Sequence, residues 1–316
     1  KKSGKPFSFV DAYCPPDFSA LLACEGRVWS MFRHAAPSQN FSPDYFQCVK
    51  GAEPYPLFIK PDKKLSVRDV ISIMRDHFEG TEFDMTKGIP AGPYGNPYRW
   101  KPLTWKIDGD TVTNYIWERP ISTQQTAFAF LSQMRSFMPR EVGGVFWYGV
   151  DDNYSTVYIP LYCCMTRPPK PFVGGSIATP DLNSGFWVFN LVANLAYTKY
   201  SYIIKDIQAV QNELETKFEK YQPVIEKAAL ELGKTDPKLM AEFLTDYSYN
   251  QSVATVDRWR ELWYHLVAKY NDGYINDPKI DHGRHPKGVG YGNEFFKSVI
   301  KERPNYFQMQ WKEKKK

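Results

Sequence analysis

Long apolar runs are missing from this 316-residue chain. No stretch approaches the roughly 20 residues that a bilayer-spanning helix needs. The opening KKSGKPFSFVDAYCPPD lacks the apolar core of a secretory signal. Cysteine is scarce and odd in number: Cys14, Cys24, Cys48, Cys163 and Cys164. Such a count excludes a disulfide scaffold, although one bridge among Cys14, Cys24 and Cys48 is compatible with an oxidising compartment. None has CxxC spacing, and neighbouring Cys163 and Cys164 would point to opposite faces of a strand. Buried apolar filler is the default reading for all five. Charge of one sign is also lacking, since 40 basic and 35 acidic residues leave a net +5, part of it in Lys1, Lys2 and the tail Lys312 to Lys316. No basic stripe interleaves with exposed aromatics, so nucleic acid is not an expected partner, and the tail reads as a solvated end. With no initiator Met, Lys1 reads as the start of a mature or truncated product.

Complete short motifs for catalysis are missing as well. His282 and His285 stand in DHGRHPKGVGYG beside Asp281, an HxxH in a Gly-rich loop and not the helical HExxH of a zinc site. GVGYG has no Lys-Ser/Thr after it, so it is no phosphate loop. There is no GxSxG elbow, and no cysteine has a local histidine. Neither a metal nor a cofactor is therefore expected. A metal-dependent hydrolase built on His282 and His285 ranks last among the readings.

What is present is an ordinary globular composition, 43% hydrophobic and 24% charged, with an aromatic content of 16%. The length suits one large domain or two modest ones. Its organising stretch is Glu79 to Trp100, EGTEFDMTKGIPAGPYGNPYRW. Between Gly88 and Pro97, Gly and Pro alternate with polar and aromatic residues, which predicts a stiff, shaped loop that is neither helix nor strand. Upstream, Ser66 and Asp69 resemble a capping box, and Val67, Val70, Ile71, Met74 and Phe78 continue at helical spacing to Gly80. Downstream, Leu103 to Ile107 and Thr111 to Trp117 flank Asp108-Gly109-Asp110 as a hairpin. Further strands are predicted at Ile121 to Met134, Val145 to Val150 and Thr156 to Cys164, with Pro160 at an edge or bulge. Arg167 to Gly185 reads as a boundary loop. Beyond it the chain is mainly helical, with one apolar face from Phe189 to Phe218, an interruption or kink expected at Pro223, a second helix from Asp236-Pro237 and a third from Val256 to Tyr270.

Loops around these strands hold the polar candidates. The Gly/Pro loop offers Asp84, Lys87, Asn96 and Arg99; WERPISTQQT offers Glu118, Arg119, Ser122 and Thr123; GVDDNYST offers Asp151, Asp152 and Ser155. An Arg or Asn fixed on such a loop can donate to a developing oxyanion or a substrate carboxylate. The plainer alternative is a turn or cap residue, and Asp151 and Asp152 stand in an obvious turn.

Three long segments, FDMTKGIPAGPYGNPYRW, ERPISTQQTAFAF and GGVFWYGVDDNYSTVYIPLYC, together with SVRDVISIMRDHFEGT and RVWSMFRHAAPS, resemble the secreted dipeptidase family C69. Its members are cysteine peptidases of the N-terminal-nucleophile (Ntn) hydrolase superfamily. The resemblance is strong from about Arg27 to Phe172. It implies an α+β chain forming part of an αββα sandwich with antiparallel sheets, followed by a mainly helical C-terminal region. On that basis residues 1–178, with an irregular lead-in over 1–60, form the C-terminal part of the sandwich, and 179–316 the helical extension.

The implied chemistry is hydrolysis of dipeptides by an N-terminal cysteine whose own α-amine acts as base. Because residue 1 is Lys, the resemblance implies a nucleophile on a segment outside this chain. It makes Asn96, in an Asn-Pro pair, the oxyanion donor and Arg119 its electrostatic support. Asp84, Tyr94, Arg99 and Asp152 are implied substrate contacts or loop supports. The implied partners are dipeptides and the nucleophile-bearing segment. A homo-oligomer is compatible with this reading, the expected location is extracytoplasmic, and no transmembrane segment is expected. The competing reading is a noncatalytic peptide-binding or assembly subunit of a cell-envelope complex.

Overall fold

The computed structural model describes residues 20–110, 112–277 and 286–309, with isolated positions 7, 12, 13, 17 and 279. The fold is α+β with a helical C-terminal region. It divides into two compact units: Lys1–Asp84 with Arg99–Thr123, and Met85–Tyr98 with Gln124–Lys316. Among the described residues, no helix is long and apolar enough to cross a membrane.

In the first unit helix α1 (Gly26–Ala35) follows a π-turn at Leu21–Glu25. One face of α1 buries Trp29 and Phe32. The Trp29, Phe46, Phe78 and Phe83 rings pack with centroids 5.1–6.5 Å apart, and the Trp29 indole donates to the Phe41 carbonyl at 2.8 Å. Each fully buried ring of this kind contributes roughly 2–3 kcal/mol. Helix α2 (Val67–Met74) starts as predicted: the Asp69 N–H donates to Ser66 Oγ, and the Ser66 N–H donates back to the Asp69 carboxylate. It stops six residues before Gly80. Phe78 lies at φ +63° with its N–H on the Asp76 carboxylate at 2.9 Å, so the chain has left the helix before Phe78 is reached. The predicted hairpin forms around Gly109 (φ +88°) but pairs only β1 (Thr104–Trp105) with β2 (Tyr115–Ile116).

In the second unit the Gly/Pro loop is a distorted 3-10 segment, Ile89–Tyr94, broken at Gly92 (φ +62°). Gly95 also has φ +62°, and a Cβ there would lie 3.2 Å from the Thr86 carbonyl oxygen. Strand β3 (Phe128–Met134) is shorter than predicted, since Ile121 to Ala127 lies outside it. After the short helix α3 (Arg140–Gly143) come β4 (Gly144–Val150) and β5 (Ile159–Tyr162). These strands form an antiparallel sheet in the order β3-β4-β5, so Pro160 does sit on an edge strand.

Three helices complete this unit: α4 (Gly185–Ala196), α5 (Tyr200–Gly233) and α6 (Pro237–Lys269). Small β6 (Tyr274–Ile275) and β7 (Lys287–Gly288) pair with each other, and α7 (Asn293–Glu302) follows. The single predicted face from Phe189 to Phe218 is split at Tyr197, the C-cap of α4. Helix α5 runs through Pro223 without interruption. Pro223 lies on the exposed side of α5, where water can serve the carbonyl that the missing N–H leaves behind.

The second and third predicted helices are one, α6, started by Asp236, whose carboxylate accepts the Lys238 N–H at 2.8 Å. What concealed its continuity is a buried polar stripe: Thr245, Ser248, Ser252 and Thr255 are all 0–1% exposed. This stripe helps to close the edge of the sheet. The Tyr162 N–H donates to Ser248 Oγ and the Thr166 N–H to Thr245 Oγ1, while from α5 Glu215 accepts the Tyr158 N–H. An edge strand whose N–H groups end on helix side chains is no template for further pairing.

The two faces of the sheet differ. Trp147, Val145, Tyr162 and Ala129 are buried on one side. On the other, Phe128, Phe130, Phe146 and Tyr148 stack at 4.5–6.5 Å, and Phe128 is 55% exposed.

Candidate active site

The six candidates fall in both units. Asp84, Arg99 and Arg119 belong to the first, and Tyr94, Asn96 and Asp152 to the second.

In the first unit Arg99 is buried and pairs with Glu118 (Nε to Oε2, 3.4 Å), its guanidinium 5.7 Å from the centre of the Trp117 ring. Burial lowers its pKa, and Glu118 counters that shift. Arg119 differs from Arg99: its Nε is buried with no hydrogen-bond partner among the described residues. Asp84 lies in a turn, its backbone N–H on the Thr81 carbonyl at 3.3 Å.

In the second unit Asn96 and Asp152 belong to one network. Asn96 Oδ1 accepts the Tyr98 N–H at 3.0 Å, and Asn96 Nδ2 donates to the Tyr197 carbonyl at 3.3 Å. The Tyr98 and Tyr197 hydroxyls both donate to Asp152, at 2.6 and 3.2 Å, and the Tyr154 N–H donates to it at 3.0 Å. The break between α4 and α5 thus falls where Tyr197 ties the Gly/Pro loop to the β4–β5 turn. Burial pushes the Tyr98 and Tyr197 hydroxyls well above their usual range, and the Asp152 charge adds to it. Tyr94 packs against Tyr202 and Tyr291 at 6.2 and 5.5 Å.

Next to this network the second unit holds a cavity of about 540 Å³, lined by Gln124, Thr126, Asp151, Phe186, Trp187 and Asn190 among others. Asp151 lies at φ +66° and is 1% exposed. Its Oδ1 accepts from Asn190 Nδ2 at 2.9 Å, and its Oδ2 has no partner among the described residues. Burial pushes the carboxyl up to about 7; the Asn190 hydrogen bond opposes this, the Asp152 charge adds to it, and the Asp152 backbone N–H opposes it. The turn reading of Asp151 describes its backbone and misses its side chain. Asn190 and Trp187 escaped notice because they lie on a helix whose apolar face dominates its pattern. The available signal was an acidic pair directly after VFWYGV, a strand that is mostly buried.

Cysteine chemistry is limited among the described residues. Cys24, Cys48, Cys163 and Cys164 are free thiols. Burial raises Cys48 and pushes Cys164 up to about 11, so Cys164 carries little thiolate near neutral pH. Cys14 lies outside the described residues, as do His282 and His285. Among the described residues no three His, Cys, Asp or Glu side chains gather as a metal site.

Comparison with known proteins gives a consistent result. The model of peptidase family C69 matches residues 1–213. A probable dipeptidase from Salmonella dublin is 26% identical over 156 residues, 49% of this chain and 29% of that protein. Dipeptidase A from Lactobacillus helveticus is 25% identical over 181 residues, 57% and 31% of the two chains. Probable dipeptidase B from Streptococcus pyogenes serotype M1 is 22% identical over 231 residues, 73% and 44%. The chain thus spans between 29% and 44% of the length of these relatives.

Proposed function

Since this chain belongs to peptidase family C69, matched over residues 1–213, we propose that it is the C-terminal part of a dipeptidase acting through an N-terminal cysteine supplied by a segment outside it. The family match carries this reading. In the reaction the cysteine sulfur attacks the peptide carbonyl carbon while the α-amine of the same residue takes the thiol proton. The resulting oxyanion collapses, and the C-terminal amino acid leaves with that proton on its amine. Water then hydrolyses the thioester and frees the thiol.

Asn96 donates an amide N–H to the oxyanion, with its Oδ1 anchored by the Tyr98 N–H. Arg119 adds positive charge, and a guanidinium whose buried Nε lacks an acceptor among the described residues suits that role. Arg99, already paired with Glu118, suits loop support, and so does Asp152 with its three donors. Asp84 and Tyr94 are proposed substrate contacts. The stacked aromatic face of β3 and β4 suits one inner surface of an αββα sandwich, with residues 1–178 as this chain's share and 179–316 as its helical extension. On the family resemblance we also infer an extracytoplasmic location.

The test uses the enzyme reassembled with its nucleophile-bearing segment, assayed on a leucyl dipeptide. Asn96→Ala is expected to lower kcat by about 10²–10³-fold with little change in KM. Normal turnover in that variant removes the role of Asn96. Peptide binding without hydrolysis, even with every copurifying polypeptide restored, favours the noncatalytic subunit instead.

A further inference from the structure

The cavity beside Asp151 carries a demand that its walls leave unmet. It is an open cleft of about 540 Å³, large enough for a small organic molecule, and Phe186, Trp187, Ile177 and Ala127 give it apolar sides. The Trp187 indole donates to the Ser176 carbonyl at 2.9 Å, which fixes the ring in the wall. Among the described residues Asp151 is the one titratable side chain of the lining, and no Lys, Arg or His lines it. A carboxylate removed from water needs a cation or several donors to keep its charge. Asp151 receives a hydrogen bond from the Asn190 side chain and a weaker one from the Asp152 backbone N–H, both neutral donors, and its Oδ2 has no close partner among the described residues. The charged and titratable groups that act on it are Asp152, next to it in the turn, and Tyr197 at the end of α4, and neither is cationic.

We infer that this cavity binds a small ligand carrying a primary ammonium group on an apolar body, with the ammonium against Asp151. An ammonium supplies the missing charge and donors together, and aromatic walls favour both a cation and its apolar substituent. A divalent metal suits the cavity poorly, because hard cations take six or more oxygen ligands and this lining has one carboxylate. An anion is opposed by Asp151 and Asp152. Everything required lies in the second unit, so the inference holds whether or not the chain takes part in peptide hydrolysis. The amine is either a free small molecule or the N-terminus of a short peptide, which share this chemistry.

The experiment is calorimetric titration of the full chain at pH 8 with benzylamine and with benzyl alcohol, which differ in the ammonium. Benzylamine is expected to bind about tenfold more tightly or better. Asp151→Asn, with an unchanged circular dichroism spectrum, is expected to abolish that preference. Should this variant fail to fold, the wild-type pH series decides. With the Asp151 carboxyl at about 7, benzylamine affinity is expected to rise from pH 5 to pH 8 while benzyl alcohol affinity stays level. Equal affinity of the two probes, a preference retained in Asp151→Asn, or a preference independent of pH overturns the inference. Phe-Gly binding with the same dependence on Asp151, and loss of binding on N-acetylation, identifies the amine as a peptide N-terminus. Benzylamine binding without Phe-Gly binding identifies a free amine.

Discussion

Asp76 in the first unit and Asp151 in the second are almost equally hidden, 4% and 1% exposed, yet their carboxyl groups move in opposite directions. Burial raises Asp76 too, but His34 and Ser30 hydrogen bonds, the Arg33 charge and the Phe78 N–H outweigh it and hold the group below its usual range. Ser30 Oγ and His34 Nε2 lie 2.5 and 2.8 Å from the carboxylate, and Arg33 pairs with it directly. Asp151 has the Asn190 amide, the Asp152 backbone N–H and an acidic neighbour, none of them cationic, and its carboxyl rises to about 7. Depth is shared, so the number and charge of the donors decide. A buried carboxylate with its donors in place ties elements together, as Asp76 ties α1 to the end of α2. One without them is a group whose partner comes from elsewhere.

The strongest way to break this comparison is to remove Asp76. Asp76→Ala leaves Arg33, His34 and Ser30 facing a hole, and loss of one member of a buried ion pair costs about 3–5 kcal/mol. Urea denaturation followed by tryptophan fluorescence, with Trp29 reporting on the first unit, should show that loss. The sign of the pH dependence follows from the lowered pKa. Asp76 contributes stability above the unfolded carboxyl value of about 3.9, and this is lost as pH falls through the lower folded value. The first unit should therefore weaken on the acid side. A variant as stable as wild type at pH 7 would show that the network is dispensable.

Asp151 should behave in the opposite sense and with a smaller effect. Its folded pKa lies above the unfolded one, so its contribution is fully present below about pH 4 and lost as pH rises through about 7. Asp151→Asn removes the charge while keeping the shape. With no amine added, the variant's advantage over wild type should be larger at pH 8 than at pH 5, by about 2–3 kcal/mol for a shift of that size. Thermal melts at the two pH values read the difference. A loss of stability at pH 8 would mean that the carboxylate is satisfied in solution, and the two aspartates would then be alike.

How far either site could be read from the sequence follows from the same physics. The capping box at Ser66 and Asp69, the strand Val145–Val150 and the edge position of Pro160 were legible because each depends on a local rule. The start of α6 at Asp236-Pro237 was legible for the same reason. Its length was not, because the buried stripe of Thr245, Ser248, Ser252 and Thr255 is polar in sequence, and only the fold shows that it is interior, with Ser248 meeting the Tyr162 N–H of the edge strand and Thr245 the Thr166 N–H just beyond it. The Asp76 network escaped because Ser30, Arg33 and His34 lie more than 40 positions away and carry no pattern of their own. Asp151 and Asp152 look identical in sequence. Only the fold gives one of them two tyrosine hydroxyls and a backbone donor, and the other a cavity.

The smallest effect tests whether the Asp76 network is graded or all-or-none. His34 is its most exposed member, with a side chain 35% accessible, against 19% for Arg33. In His34→Ala, water can replace the lost donor, and Asp76 keeps Ser30, Arg33 and the Phe78 N–H. The expected cost is about 1 kcal/mol, the usual net value of one hydrogen bond. Measured beside Asp76→Ala in the same urea series, a cost of that size makes the site a sum of separable donors. A cost approaching that of Asp76→Ala would instead mean that the donors act as one unit. The comparison with Asp151 would then turn on whether a network closes and not on how many donors it contains.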